Sequence, residues 1–313
     1  MSVKTRTASP APRASEPQGA SPRIYDCYGL TLASDVAFQE LPPRADAPAL
    51  TLARVDDPAR LTDRDGQTFT PERQTLEFRG MARFELAGPR IEITPYPTGD
   101  EPALGVPFLG PVMATALHYR GGLVLHGSAF LAGDGVHVFV GDRGAGKSTL
   151  AGCLAARGHT FYADDISCLE TGPGGAVHAR KGYPVAKMYE ETFDAFFPEG
   201  SPVLSHGTVP YPKVRARIDR PDVPDTAPLA AVHMLERGDT AGLRPLKGGD
   251  AFAALMRHSY MLKYGDAPFE GARNGLHFTQ VAAAASAARV GILTVPQGLD
   301  RIAEIEPVLG WDR

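Results

Sequence analysis

Cysteine is scarce in this sequence of 313 residues: there are three, Cys27, Cys153 and Cys168. They show no paired spacing of the kind metal ligands need. So sparse and odd a set fits a reducing compartment better than a disulfide framework, and all three read as small buried hydrophobes. A basic excess is missing too. The formal charge is −4, whereas a nucleic-acid binder usually carries net positive charge or a basic stripe, so no nucleic-acid partner is expected. No apolar run approaches the roughly 18 residues of a membrane span, so no membrane partner is expected either. The opening stretch, MSVKTRTASPAPRASEPQGASPR, lacks the apolar segment of a secretory signal. Rich in Ser, Ala and Pro, residues 1–22 are expected to form a disordered tail, and a cytoplasmic location is the default.

What is present is ordinary for a globular protein: 43% hydrophobic and 22% charged residues, enough for one large domain or two modest ones. Residues 23–105 read as a small antiparallel β-rich unit, since RIYDCYGLTLASD, PALTLARVD and QTLEFRGMARFELAGPRIEITPYP alternate apolar and polar positions. From 106 to 313 the rhythm is α/β. VMATALHY reads as a helix and GLVLHGSAFLA as a strand or hairpin arm; GVHVFV then reads as a buried strand, KSTLAGCLAARG as a helix and HTFYAD as a strand. A crossover this short implies adjacent parallel strands with a right-handed connection.

Between GVHVFV and that helix lies Gly141-Asp142-Arg143-Gly144-Ala145-Gly146-Lys147-Ser148-Thr149, which satisfies the P-loop pattern G-x-x-x-x-G-K-[ST] in full. Glycines let the backbone curl into a nest of inward N–H groups, and the helix that follows offers its positive end to phosphates. Lys147 is expected to reach the β- and γ-phosphates of ATP, and the Ser148 hydroxyl to take Mg2+. Asp164 and Asp165 close the next strand. Ligands gather beyond the carboxyl ends of parallel strands, so both carboxylates are expected near the terminal phosphate. One can hold the metal while the other accepts a proton from an attacking hydroxyl; one of them can equally cap a turn. His126, at the end of LVLH, can orient an aspartate or serve only as a structural residue, and the residues alone do not choose.

At these positions the sequence resembles the HPr kinase/phosphorylase family, whose kinase domain has a P-loop fold related to phosphoenolpyruvate carboxykinase. Three segments carry the likeness: LHGSAF, GDRGAGKSTLA and AARGHTFYADDISCLE. The resemblance implies a catalytic role for His126 and a phosphate-contacting Lys147. It further implies a metal-binding Ser148, Asp164 as the proton acceptor paired with the histidine, and Asp165 as a carboxylate near the metal, the last two roles being interchangeable. The family's downstream glycine-rich signature is absent, so neither phosphorolysis nor HPr as a substrate is implied. The N-terminal unit is similar instead to HPr kinase-like proteins encoded beside lasso-peptide genes. That subgroup implies transfer to a serine at the C-terminus of a precursor peptide, and its relatives often form homo-oligomers.

The expectation is therefore an ATP- and Mg2+-dependent serine kinase acting on a peptide. A P-loop NTPase, or a nucleotide-binding regulator without an acceptor, is the alternative. Arg180, Lys181, Lys187, Arg257 and His258 are secondary candidates; His159 belongs to the resemblance and reads equally as the start of a strand. Lys213, Arg215 and Arg217 alternate on one strand face, where solvent is the expected neighbour.

Overall fold

The computed structural model describes residues 21–197, 200–206 and 213–311. Apart from residues 21 and 22, the tail expected at the N-terminus lies outside them.

The alternating segments of the first third form seven strands. They are β1 (Arg23–Cys27), β2 (Leu30–Ser34), β3 (Leu50–Arg54), β4 (Gly66–Phe69), β5 (Gln74–Phe78), β6 (Ala82–Ala87) and β7 (Arg90–Pro95). They make one sheet in the order β1-β2-β3-β7-β6-β5-β4. The sheet is mixed rather than antiparallel throughout: β3 runs parallel to both β2 and β7. Two hairpin-built halves, β1–β2 and the meander β4–β7, are joined through β3, and local turn signals do not dictate the direction of such a joint.

Then follow β8 (Leu123–Leu125), β9 (Gly127–Ala132), β10 (Gly135–Val140), β11 (Thr160–Ala163), β12 (Ser167–Thr171), β13 (Val177–Arg180), β14 (Val185–Tyr189), β15 (Val203–His206), β16 (Lys213–Arg217), β17 (Thr226–Gly238), β18 (Gly242–Leu246) and β19 (Arg289–Pro296). Nine of them form a second sheet around β17, whose amino end continues into β13, β12 and β8. Its carboxyl part lies parallel to β10 on one side and to β19 on the other. β14, β16 and β15 make a separate small sheet.

The expected side-by-side pair of parallel strands is replaced by a three-strand arrangement. β10 and β11 do run in the same direction, but β9 lies between them, antiparallel to both. The β9–β10 hairpin closes locally, and the crossover helix Lys147–Ala156 then lays β11 on the remaining edge of β9. The effect on the site is small. Val140 pairs with Gly127 and Ala163 with Ala129, so the carboxyl ends of β10 and β11 flank the amino end of β9, where His126 sits.

The two large sheets share a core. Leu32, Phe84 and Ile91 of the first belong to one apolar cluster with Phe108, Val112, Val124, Ile166, Tyr183 and Tyr260. Burial on this scale is the main favourable contribution to folding. The three cysteines are fully buried free thiols, as expected of small hydrophobes.

Candidate functional site

Gly144 (φ +86°) and Gly146 (φ +96°) adopt left-handed backbone. A side chain there would be strained, which is why the loop between β10 and its helix needs glycine at both positions. The loop turns into the helix at Lys147. That helix buries Leu150, Cys153 and Leu154, and Gly152 lets it approach β14, since a Cβ there would lie 3.0 Å from the Met188 sulfur. Lys147 folds back over the loop, its Nζ donating to the carbonyls of Gly141 (2.7 Å) and Asp142 (3.2 Å). Burial, and then the neighbouring charge of Lys213, lower its pKa below the usual lysine value. Arg257 pairs with Asp142 at 2.5 Å, and Arg237 donates to the Gly144 carbonyl at 3.4 Å, so two cations tie the loop down.

The two aspartates sit in a tight turn after β11, closed by the Ile166 N–H donating to the Asp164 carbonyl at 2.8 Å. Asp164 is buried. Its Oδ1 accepts from Ser128 (2.7 Å) and its Oδ2 from the Lys187 backbone N–H (2.8 Å). Asp165 takes a left-handed conformation (φ +68°), which short polar side chains tolerate. Its Oδ2 accepts from Lys187 Nζ at 2.7 Å, and its Oδ1 lies 3.6 Å from His126 Nδ1. Burial alone would raise the pKa of Asp165. The Lys187 ammonium, then His126, outweigh burial and hold the carboxyl well below its usual range. Lys187 is correspondingly held charged.

His126 donates from Nδ1 to the Asp165 carbonyl at 3.0 Å. A carbonyl only accepts, so the proton is on Nδ1 and the neutral ring keeps Nε2 as an acceptor. Its backbone N–H reaches the His258 carbonyl (3.2 Å), and its ring meets Tyr260 edge-on, centroids 5.9 Å apart. Desolvation in this crevice lowers its pKa against the opposing pull of Asp165. Gly127 fixes the position, because a Cβ there would lie 2.5 Å from the Phe139 carbonyl oxygen. The histidine therefore contacts Asp165, where the resemblance pairs it with Asp164.

The β16 residues do not face solvent as their alternation suggested. Lys213 Nζ donates to Ser148 Oγ at 3.0 Å; Arg215 is buried against Glu40 at 2.6 Å; Arg217 reaches the Gln39 carbonyl. The physical cause is tertiary: the small sheet lies with this face against the glycine loop on one side and the first sheet on the other. Among the secondary candidates Lys187 joins the site and Arg257 braces it. Arg180 pairs with Glu170, Lys181 with Asp26 and Asp225, and His159 with Glu306. Gly141, Arg143, Ala145 and Thr149 lie in the loop and the first helical turn. Among the described residues no group of three or more His, Cys, Asp or Glu side chains is arranged to hold a metal. Ser148 Oγ and the Asp165 carboxylate are hard oxygen donors of the few-ligand kind that suits Mg2+, which takes its remaining ligands from phosphates and water.

No protein-family model matches the sequence, and no curated protein matches it. Among solved structures the chain is similar to the Hpr(Ser) kinase/phosphatase from Coxiella burnetii, at 11% identity and a TM-score of 0.30, over 60% of this chain and 93% of that one. An overlap that loose adds nothing to the geometry of the site itself. No helix among the described residues is long and apolar enough to cross a membrane.

Proposed function

We propose that the protein is a Mg2+- and ATP-dependent kinase that phosphorylates a serine hydroxyl of a peptide. The observation that carries this reading is the meeting of a glycine loop at a helix start with the Asp165–His126 pair. Val140, which leads into the loop, pairs with Gly127 beside His126, and Ala163, which leads into the aspartate turn, pairs with Ala129 two residues on. Loop N–H groups and Lys147 would hold the phosphates, and charge-assisted bonds of this kind are the strong ones. Ser148, with Asp165 as the nearby carboxylate, would hold Mg2+, which neutralises charge on the phosphates when bound.

Asp165 carries the histidine contact and keeps only a 3.6 Å neighbour at Oδ1, whereas both oxygens of Asp164 accept hydrogen bonds from β9 and β14. Asp165 is therefore taken as the proton acceptor, and its part in holding Mg2+ is the alternative role. The serine oxygen forms a bond to the γ-phosphorus, the bond to the β-bridging oxygen breaks, ADP leaves, and the hydroxyl proton passes to Asp165. A carboxylate this acidic is a weak base. That suits a loose transition state, in which positioning and charge stabilisation do most of the work. His126 remains 46% exposed, an open side that suits a peptide better than an enclosed metabolite. A lasso-type precursor peptide modified at its C-terminal serine is the substrate suggested by the resemblance.

The test is incubation with ATP, Mg2+ and the precursor peptide encoded beside the gene, followed by mass spectrometry. A mass gain of one phosphate is expected, lost when the peptide serine becomes alanine. ADP released at the same rate without any peptide, and no mass gain, would leave an NTPase.

A further inference from the structure

Lys187 and Arg215 face each other across β14 and β16, and each has its own acid, Asp165 and Glu40. Lys213, two residues before Arg215 on the same strand face, pairs with no acid among the described residues. Among the described residues its partners are the Ser148 hydroxyl and the ring of Tyr189, 5.3 Å from Nζ to centroid. Ser148 opens the helix that follows the glycine loop, and β16 pairs with β14, whose Lys187 holds Asp165, so Lys213 stands between the glycine loop and the aspartate turn. An ammonium whose direct partners are a hydroxyl and a ring can take up an anion from outside.

We infer that Lys213 is a phosphate-contacting residue that reads the terminal phosphate of a nucleoside triphosphate, leaving the Ser148 hydroxyl when that phosphate arrives. The inference rests on the reading of the glycine loop as a triphosphate site. Lys147 reaches the loop from the helix side and Lys213 from the small sheet, so the last phosphate lies between two ammonium groups. The same movement frees the Ser148 oxygen from a bond to a cation. The site thus distinguishes triphosphate from diphosphate by a group outside the loop motif.

The test is calorimetric titration of the wild-type chain, Lys213→Met and Lys213→Arg with ATP, ADP and inorganic tripolyphosphate. Circular dichroism melting of each variant shows that the fold is retained. Loss of one charge-assisted contact is expected to weaken ATP and tripolyphosphate by about tenfold in Lys213→Met. ADP should change by less than about twofold, and Lys213→Arg should recover most of the loss. Equal losses for ATP and ADP, or no loss for either, would overturn the role of Lys213 while the loop's reading stands. A wild-type chain that binds tripolyphosphate but no ATP would remove the nucleotide reading and keep the phosphate role. A wild-type chain that binds none of the three overturns both.

Discussion

Two groups of charges in this molecule are built from the same side chains and behave differently. Between the first sheet and the second, Arg44 and Lys181 meet Asp26 and Asp225. Lys181 reaches the two acids at 2.6 and 2.9 Å, and Arg44 reaches Asp225 at 2.7 Å. Every cation there has an acid, and Asp225 is pulled down to about 2, first by its hydrogen bond from Arg44. At the glycine loop, Lys147, Lys187 and Lys213 gather around two aspartates, and only Lys187 is directly paired with one. The first group answers itself and joins two sheets. The second has cation to spare, in a place where burial makes unanswered charge costly. On the proposed reading, that spare positive charge is what a phosphate would answer.

The sharpest way to break that contrast is at Asp165. Asparagine tolerates the same left-handed backbone, so Asp165→Asn removes charge and little else. Phosphate transfer is expected to fall by about 10²- to 10⁴-fold, measured as peptide phosphorylation. Lys187, left without its acid, should lower stability by about 1–3 kcal/mol. The double variant Asp165→Asn/Lys187→Met is expected to regain its melting temperature and none of its activity. Recovery of activity as well would reduce the pair to a structural clasp like that of Asp225.

A third region keeps buried rings neutral. His137 and His233 lie buried between β10 and β17, His137 Nδ1 to His233 Nε2 at 3.1 Å. Asp134 accepts from His137 Nε2 at 2.9 Å and is itself paired with Arg289. Burial lowers His233 to about 3, and His118, against the Pro268 carbonyl, to about 4. Their folded values lie below those of the unfolded chain, so the unfolded state takes up protons first. Stability is complete above about pH 6.5 and is lost as pH falls toward those values, by up to about 1.4 kcal/mol per pH unit for each ring. Urea denaturation between about pH 7 and about pH 4 should show this slope, and His233→Leu should flatten it.

The self-answering group is tested by Arg44→Met. Asp225 is 41% exposed, so water takes up much of the loss. Stability should fall by about 1–2 kcal/mol with the transfer rate unchanged. The smallest expected effect comes from completing the site artificially. Tyr189 lies opposite Lys213 in the register and is half exposed. Tyr189→Glu would give Lys213 an acid of its own, and triphosphate affinity should drop by about fivefold in the same titration.

How much of this was legible in the sequence depends on the range of the interaction. The glycine loop is local, and its glycines, strand and helix stood where pattern and spacing placed them. The aspartate turn and His126 were within reach because strand ends gather at one edge, and β9 between the two strands kept them there. The pairing of His126 with Asp165 was not legible, since it depends on which way a left-handed turn points two adjacent carboxyls. Alternation shows that Lys213, Arg215 and Arg217 share a face and says nothing of what covers it, so it points Lys213 toward solvent. Ser148 is 65 residues away along the chain. Contact between two sheets leaves no period behind it.

The mingled core has a practical consequence for anyone wishing to trim or shuffle this chain. Tyr28 donates to the Leu109 carbonyl at 2.7 Å and packs edge-on against Tyr183, and Glu40 supplies the acid for Arg215. Cutting away the first hundred residues would uncover greasy surface directly behind the aspartate turn and strand a guanidinium in it. The opening sheet cannot be exchanged like an adaptor: graft and host would have to be redesigned together along that seam.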